Sequence, residues 1–127
     1  MKKCIFLVIA CALFSISYAQ ESKTDATIVF EKSEHNFGTV SESGGIIECE
    51  FAFTNTGETP LIITKVSAGC GCTVPDWSKE PVAPGKQGFI IVTFNPKGRS
   101  GDFTKSLTAF TNGNPDRISL KIKGHIE

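Results

Sequence analysis

Beyond Ala19 the apolar residues recur at every second position, and turn-forming residues interrupt them at short intervals. That period belongs to strands rather than helices. The last run is the clearest, with Ile118, Leu120 and Ile122 alternating with Arg117, Ser119, Lys121 and Lys123. Ile47, Cys49, Phe51 and Phe53 alternate in the same way with Glu48 and Glu50. Ile90, Val92 and Phe94 form another set, and Phe89 and Ile91 make its opposite face apolar too, which predicts a strand covered on both sides. Shorter extended pieces fall at 27–31 and 35–40, and Phe103 to Thr111 supplies one more. A strand through Leu61 and Ile63 changes phase before Val66, the mark of a bulge. Turns fall at Gly44-Gly45, at the NTGETP of 55–60, at Pro84-Gly85 and at the NPKGRSG of 95–101. The pattern predicts an all-β chain, a single immunoglobulin-like antiparallel β-sandwich of about seven strands.

The first residues follow a different rule. Lys2 and Lys3 precede an almost wholly apolar run from Cys4 to Ile16, and Ser17-Tyr18-Ala19 offers small residues where a signal peptidase reads them. This predicts a secretory signal peptide over 1–19, a polar leader over 20–26 and the sandwich domain over 27–127. The apolar run is too short, and too abruptly followed by polar QESKTD, to serve as a transmembrane anchor. Lipid attachment at Cys11 competes with cleavage after Ala19, because Val8 to Cys11 reads VIAC. The residues that follow, ALFSISYA, stay apolar where a lipoprotein would turn polar. The expected address is therefore export, to the periplasm or the cell exterior.

Cleavage changes the charge and the cysteine count. Removing 19 of 127 residues leaves 108, enough for one domain that buries roughly two-thirds of its unfolded surface. Two of 13 basic residues depart with the signal peptide against 13 acidic ones that stay, so the mature chain carries −2. With no basic run, the chain lacks the electrostatic footprint of a nucleic-acid binder. Cys49, Cys70 and Cys72 remain, an odd number, so in an oxidising compartment one thiol stays free or pairs with another molecule.

Two of those cysteines flank a glycine in SAGCGCTVPDW, Ser67 to Trp77. If the phase set by Val66 continues, Ala68, Cys70, Cys72 and Val74 share one apolar face, and the thiols act as small buried hydrophobes. A bridge between Cys70 and Cys72 does not fit an extended strand, where two residues span roughly 6.5–7 Å. A tight turn using Gly69 and Gly71 would permit it. Cys49 offers another bridge, across the sandwich to either member of the pair. Thiolates also suit Cu(I), whereas structural zinc would need all three cysteines with His35 or His125. No Cys-x-x-Cys or His-x-x-His spacing supports a metal or a thioredoxin-like site.

Nothing else in the chain carries catalysis. Phosphate loops, dinucleotide fingerprints, His-Glu-x-x-His and nucleophile elbows are all missing from the sequence. His35 and His125 read as surface or hydrogen-bonding residues, and Trp77 as a cap on the core.

The segments FEKSEHNFGTV, FAFTNTGETPLIITKVSAGCGCTVPDW, EPVAPGKQGFIIVTFNPKGRSGDFTKSL and LKIKG resemble an exported bacterial family. It is called domain of unknown function fifteen-seventy-three and is common in Bacteroidetes-like bacteria. The resemblance covers about residues 28–126. Its motif positions here are Phe37, Gly38, Asn55, Gly57, Pro60, Leu61, Cys70, Gly71, Cys72, Thr73, Pro75, Trp77, Pro84 and Gly85. Asn36 departs from an expected aspartate, and Cys49 lies outside the motif, which favours Cys70 and Cys72 as the paired unit. The resemblance implies an immunoglobulin-like fold similar to pilus-chaperone and cilium-associated domains, with no known enzymatic activity. It implies a non-catalytic binding or structural module without cofactor, whose partner is another protein of the cell envelope. The alternative is a thiol-dependent site at Cys70 and Cys72 for copper or redox exchange.

Overall fold

The computed structural model describes residues 25–127. The expected signal peptide, Cys4, Cys11 and most of the leader lie outside the described residues. Eight strands follow in order: β1 (Ile28–Phe30), β2 (Glu34–Val40), β3 (Ile47–Asn55), β4 (Ile63–Ala68), β5 (Thr73–Trp77), β6 (Gln87–Phe94), β7 (Gly101–Thr111) and β8 (Arg117–Ile126). They form two four-stranded sheets, ordered β1-β3-β6-β5 and β2-β8-β7-β4.

The period-two patterns decide which side of each strand faces inward. On β3 Cys49, Phe51, Phe53 and Asn55 are buried; on β6 Ile90, Val92 and Phe94; on β8 Leu120, Ile122 and Ile126. These side chains fill a single core between the sheets, to which β7 adds Phe103, Leu107 and Ala109. Phe94 of the first sheet stacks on Phe103 of the second with ring centroids 4.4 Å apart, so the layers are locked by an aromatic pair as well as by area.

Three features differ from the sequence reading. First, the sandwich is not wholly antiparallel, because β2 pairs with β8 in parallel. The N-terminal stretch splits between sheets: β1 lies on β3, then the chain crosses at Glu31–Ser33 and β2 runs beside the last strand in the same direction. Second, Ala26, the last residue of the expected leader, is 2% exposed. Its carbonyl accepts a hydrogen bond from Asn114 N–H at 2.8 Å, and the N–H of Ile28 donates to Asn114 O at 3.2 Å. Third, the expected strand from Val66 through Val74 is two strands in different sheets, which raises the count from about seven to eight.

Asn55, at the end of β3, ties the loops at one pole. It is fully buried. Its amide nitrogen donates to Thr59 O at 2.8 Å and Val82 O at 2.9 Å. Its side-chain oxygen accepts from Gly57 N–H at 2.9 Å and Thr27 N–H at 3.3 Å. Nearby, Ala83 to Lys86 closes a turn through Lys86 N–H to Ala83 O at 3.0 Å, with proline at its second position and Gly85 at φ 76° at its third. That is the backbone a type II turn demands of a Pro-Gly pair.

Candidate functional site

The Cys70–Cys72 corner is where the chain changes sheets. β4 is an edge of the second sheet and β5 an edge of the first, and only Gly69 to Cys72 separates them. Thr73 N–H donates to Cys70 O at 3.3 Å, and Cys72 O accepts from Asn95 N–H at 3.0 Å. Cys70 and Cys72 form a disulfide across this corner, with Cα atoms 5.4 Å apart, while Cys49 is free and buried on β3. Both bridged cysteines are half-buried. Thr73, 4% exposed, places its hydroxyl 3.8 Å from each sulfur.

The corner reverses the face assignment. Beyond it Thr73 is buried and Val74 is 57% exposed, the opposite of the expected phase. Neither Gly69 nor Gly71 adopts a left-handed backbone, and a Cβ at either would meet nothing within 4 Å. The turn is made without the conformations unique to glycine.

The remaining candidates stand apart from one another. His35 packs edge-on against Phe37, centroids 4.6 Å apart, with Lys32 Nζ 2.9 Å from its Nδ1. Burial, then the Lys32 charge, hold its pKa below the ordinary histidine value. Burial pushes the Cys49 thiol up to about 11. Among the described residues no three His, Cys, Asp or Glu side chains converge to hold a metal ion. His125 is exposed, and its Nδ1 lies 2.7 Å from Asp102. Trp77 packs on the core, and Lys79 lies over its ring, 3.0 Å from the centroid, leaving no bare platform.

Other motif residues shape the backbone. Gly38 turns left-handed at φ 69° while its N–H donates to Asn36 Oδ1 at 2.8 Å, so asparagine accepts the turn bond at that departure. Pro60 O accepts from the Asn112 amide at 3.1 Å. Pro75 sits on edge strand β5, where Thr73, Pro75 and Trp77 alternate with the residues bonded to β6. Thr73 N–H is used within the corner, proline has none, and Trp77 N–H donates to Asp76 Oδ1 at 2.9 Å. The outward donors of this edge are spent, which disfavours addition of another strand.

The first sheet's outer face holds a feature that the sequence reading missed. Registers place Glu48, Thr93 and Val74 in one row, then Glu50, Ile91 and Asp76, then Ala52 and Phe89, then Val29, Thr54 and Gln87. Val74, Ile91, Phe89, Ala52 and Val29 thus make a diagonal apolar stripe across all four strands. Val74 is 57%, Val29 50% and Phe89 39% exposed. The apolar outer face of β6 pointed here, but it was expected to be covered. A cleft of about 480 Å³ opens beside Phe89, walled by Pro81, Val82 and Ala83.

Together these features define a compact immunoglobulin-like module with a disulfide at its sheet-crossing corner and an open apolar face. The chain belongs to the family described as Protein of unknown function (DUF1573), matched over residues 28–126. No curated protein matches the sequence. Among solved structures it is similar to a protein of unknown function from Porphyromonas gingivalis W83, at 13% identity and TM-score 0.69 over 79% of this chain and 46% of that one. The chain thus spans about half the length of that relative. It is also similar to the ASH / PapD-like domain of human CEP192, at 11% identity and TM-score 0.66, covering 82% of this chain and 87% of that one. The Vibrio cholerae VesB protease matches at 13% identity and TM-score 0.62, over 80% of this chain and 32% of that one. At these identities the likeness is one of fold.

Proposed function

We propose that the chain is an exported, non-catalytic module of the cell envelope that binds another protein through a sandwich face. The observation that carries this reading is the apolar stripe from Val29 to Val74, where five apolar side chains share one outer sheet face. Contiguous exposed apolar surface on a small domain marks an interaction site more often than isolated exposed residues do. A fold shared with part of a protease does not by itself carry that protein's activity, because function lives in the site. The apolar start of the chain and the disulfide support export. The test is to compare proteins co-purifying from the envelope with the tagged chain and with its Phe89→Asp variant. A defined set lost in the variant is expected; identical sets, or a chain that stays in the cytosol, would sink the reading.

A second reading has its own observation. The disulfide closes a loop of only three residues at a half-exposed corner, so it constrains the unfolded chain little. Such a bridge suits reversible exchange, in which an external dithiol becomes the disulfide as Cys70 and Cys72 become thiols, and the reduced pair could then take Cu(I). Retention of every interaction by a folded Cys70→Ser, Cys72→Ser variant would argue against it.

A further inference from the structure

Charge decides what lies on the stripe. Glu48 and Glu50 of β3 border it on one side, and Glu31, whose N–H donates to Ala52 O at 3.1 Å, continues the border past β1. All three are exposed, and none forms an ion pair among the described residues. The other border is balanced: Lys79 lies 3.6 Å from Asp76, and Lys86 shares the cleft wall with Glu80. One flank therefore carries three carboxylates against Lys32, which follows Glu31 and turns its Nζ to His35, and the other carries close to no net charge.

Building on the binding-module reading, we infer that the stripe receives a polypeptide segment whose apolar side chains are accompanied by lysine or arginine on the Glu31–Glu48–Glu50 side. A second copy docking face to face through the same stripe fits poorly, because that face offers either the same carboxylates or the balanced flank. An anionic lipid surface is repelled by the same three groups. Apolar residues entering beside Phe89 find the cleft under Pro81 and Val82, while the carboxylates set the segment's direction and select its charge. Strand addition at β5 is not the route, since its outward donors are spent; the segment lies across the face.

The experiment expresses the full chain in cells, so that residues 1–19 direct export, with a photoreactive phenylalanine analogue in place of Phe89 or of Thr104. Thr104 lies exposed on the opposite sheet. The expected result is a cross-link from position 89, absent from 104, to a segment that mass spectrometry shows to be apolar and basic. Glu48→Lys with Glu50→Lys should cut its yield about fivefold, the worth of two exposed ion pairs, without moving the thermal midpoint. Lys→Glu or Arg→Glu in the captured segment should restore it. Cross-linking to a second copy, to lipid or to an acidic segment would overturn the inference, as would indifference to the charge reversal. Cross-links from 104 but not 89 would move the binding surface elsewhere and leave the module reading standing. No cross-link from either position would remove both.

Discussion

Asn55 and Val82 are 27 residues apart in the chain and joined by a buried hydrogen bond of 2.9 Å from side-chain amide to main-chain carbonyl. The same carboxamide makes three more bonds, to Thr27, Gly57 and Thr59. Its donors and acceptors are all used, and the groups it satisfies belong to three separate loops. Replacement by alanine strands several of those groups, although Val82 O keeps the bond from Leu61 N–H at 2.9 Å. Asn55→Ala should cost about 3 kcal/mol, read as a lowered urea midpoint at unchanged slope. A loss below about 1 kcal/mol would show that water replaces the amide.

Gly57 and Gly71 are both motif glycines, but only one is sterically required. A Cβ on Gly57 would strike Asp25 O, Thr27 N and Ala26 Cα, all main chain and unable to swing away. Gly57→Ala should therefore push the β1 entry off its turn, at about 1–3 kcal/mol. Gly71→Ala meets nothing within 4 Å and no left-handed backbone, so its thermal midpoint should stay within about 2 °C of the parent. Equal losses in the two variants would contradict this account.

The contrast explains what was legible in the sequence. Alternation on β3, β6 and β8 named the core correctly, because each strand presents one face to the opposite sheet. Alternation is blind to which sheet a strand joins, so Val66 to Val74 read as one strand when a four-residue corner divides it. It is equally blind to direction, and nothing in HNFGTV distinguishes parallel pairing with β8 from antiparallel. Ala26 read as leader because its burial comes from Asn114, far along the chain. The Cys-Gly-Cys motif was visible, whereas the stripe needed the registers of four strands.

Cys49 links stability to alkaline pH. The folded thiol ionises near 11, above its ordinary 9.0, because burial disfavours the thiolate. Between those values the unfolded chain gives up the proton and the folded chain keeps it. The contribution is thus full below pH 9 and falls away as pH rises towards 11. Thermal midpoints should drop across that window more steeply for the parent than for Cys49→Ala. Parallel curves would show that the thiol is not shielded.

His35 works in the opposite direction. Burial and the neighbouring Lys32 charge depress its folded pKa, so stability is full above 6.5 and declines as pH falls below it. In a proton NMR titration the His35 ring should titrate below 6.5, and Lys32→Gln should raise its midpoint by removing one of the two causes. An unchanged midpoint would assign the whole shift to burial against Phe37.

The Cys70–Cys72 bridge should be dispensable for folding. Loop-closure entropy for three residues amounts to about 1.6 kcal/mol, small beside the core that binds the two sheets. Cys70→Ser with Cys72→Ser should fold, keep the parent denaturation slope and lose no more than about that amount. Dithiothreitol added to the native parent should expose two reactive thiols at the half-buried corner while Cys49, 7% exposed, stays silent. In the chain from Gln20 onward, denaturant should then raise the count from two to three. If the native protein resists reduction until it unfolds, the corner is sealed, and the exchange reading of the motif fails while the structural one stands.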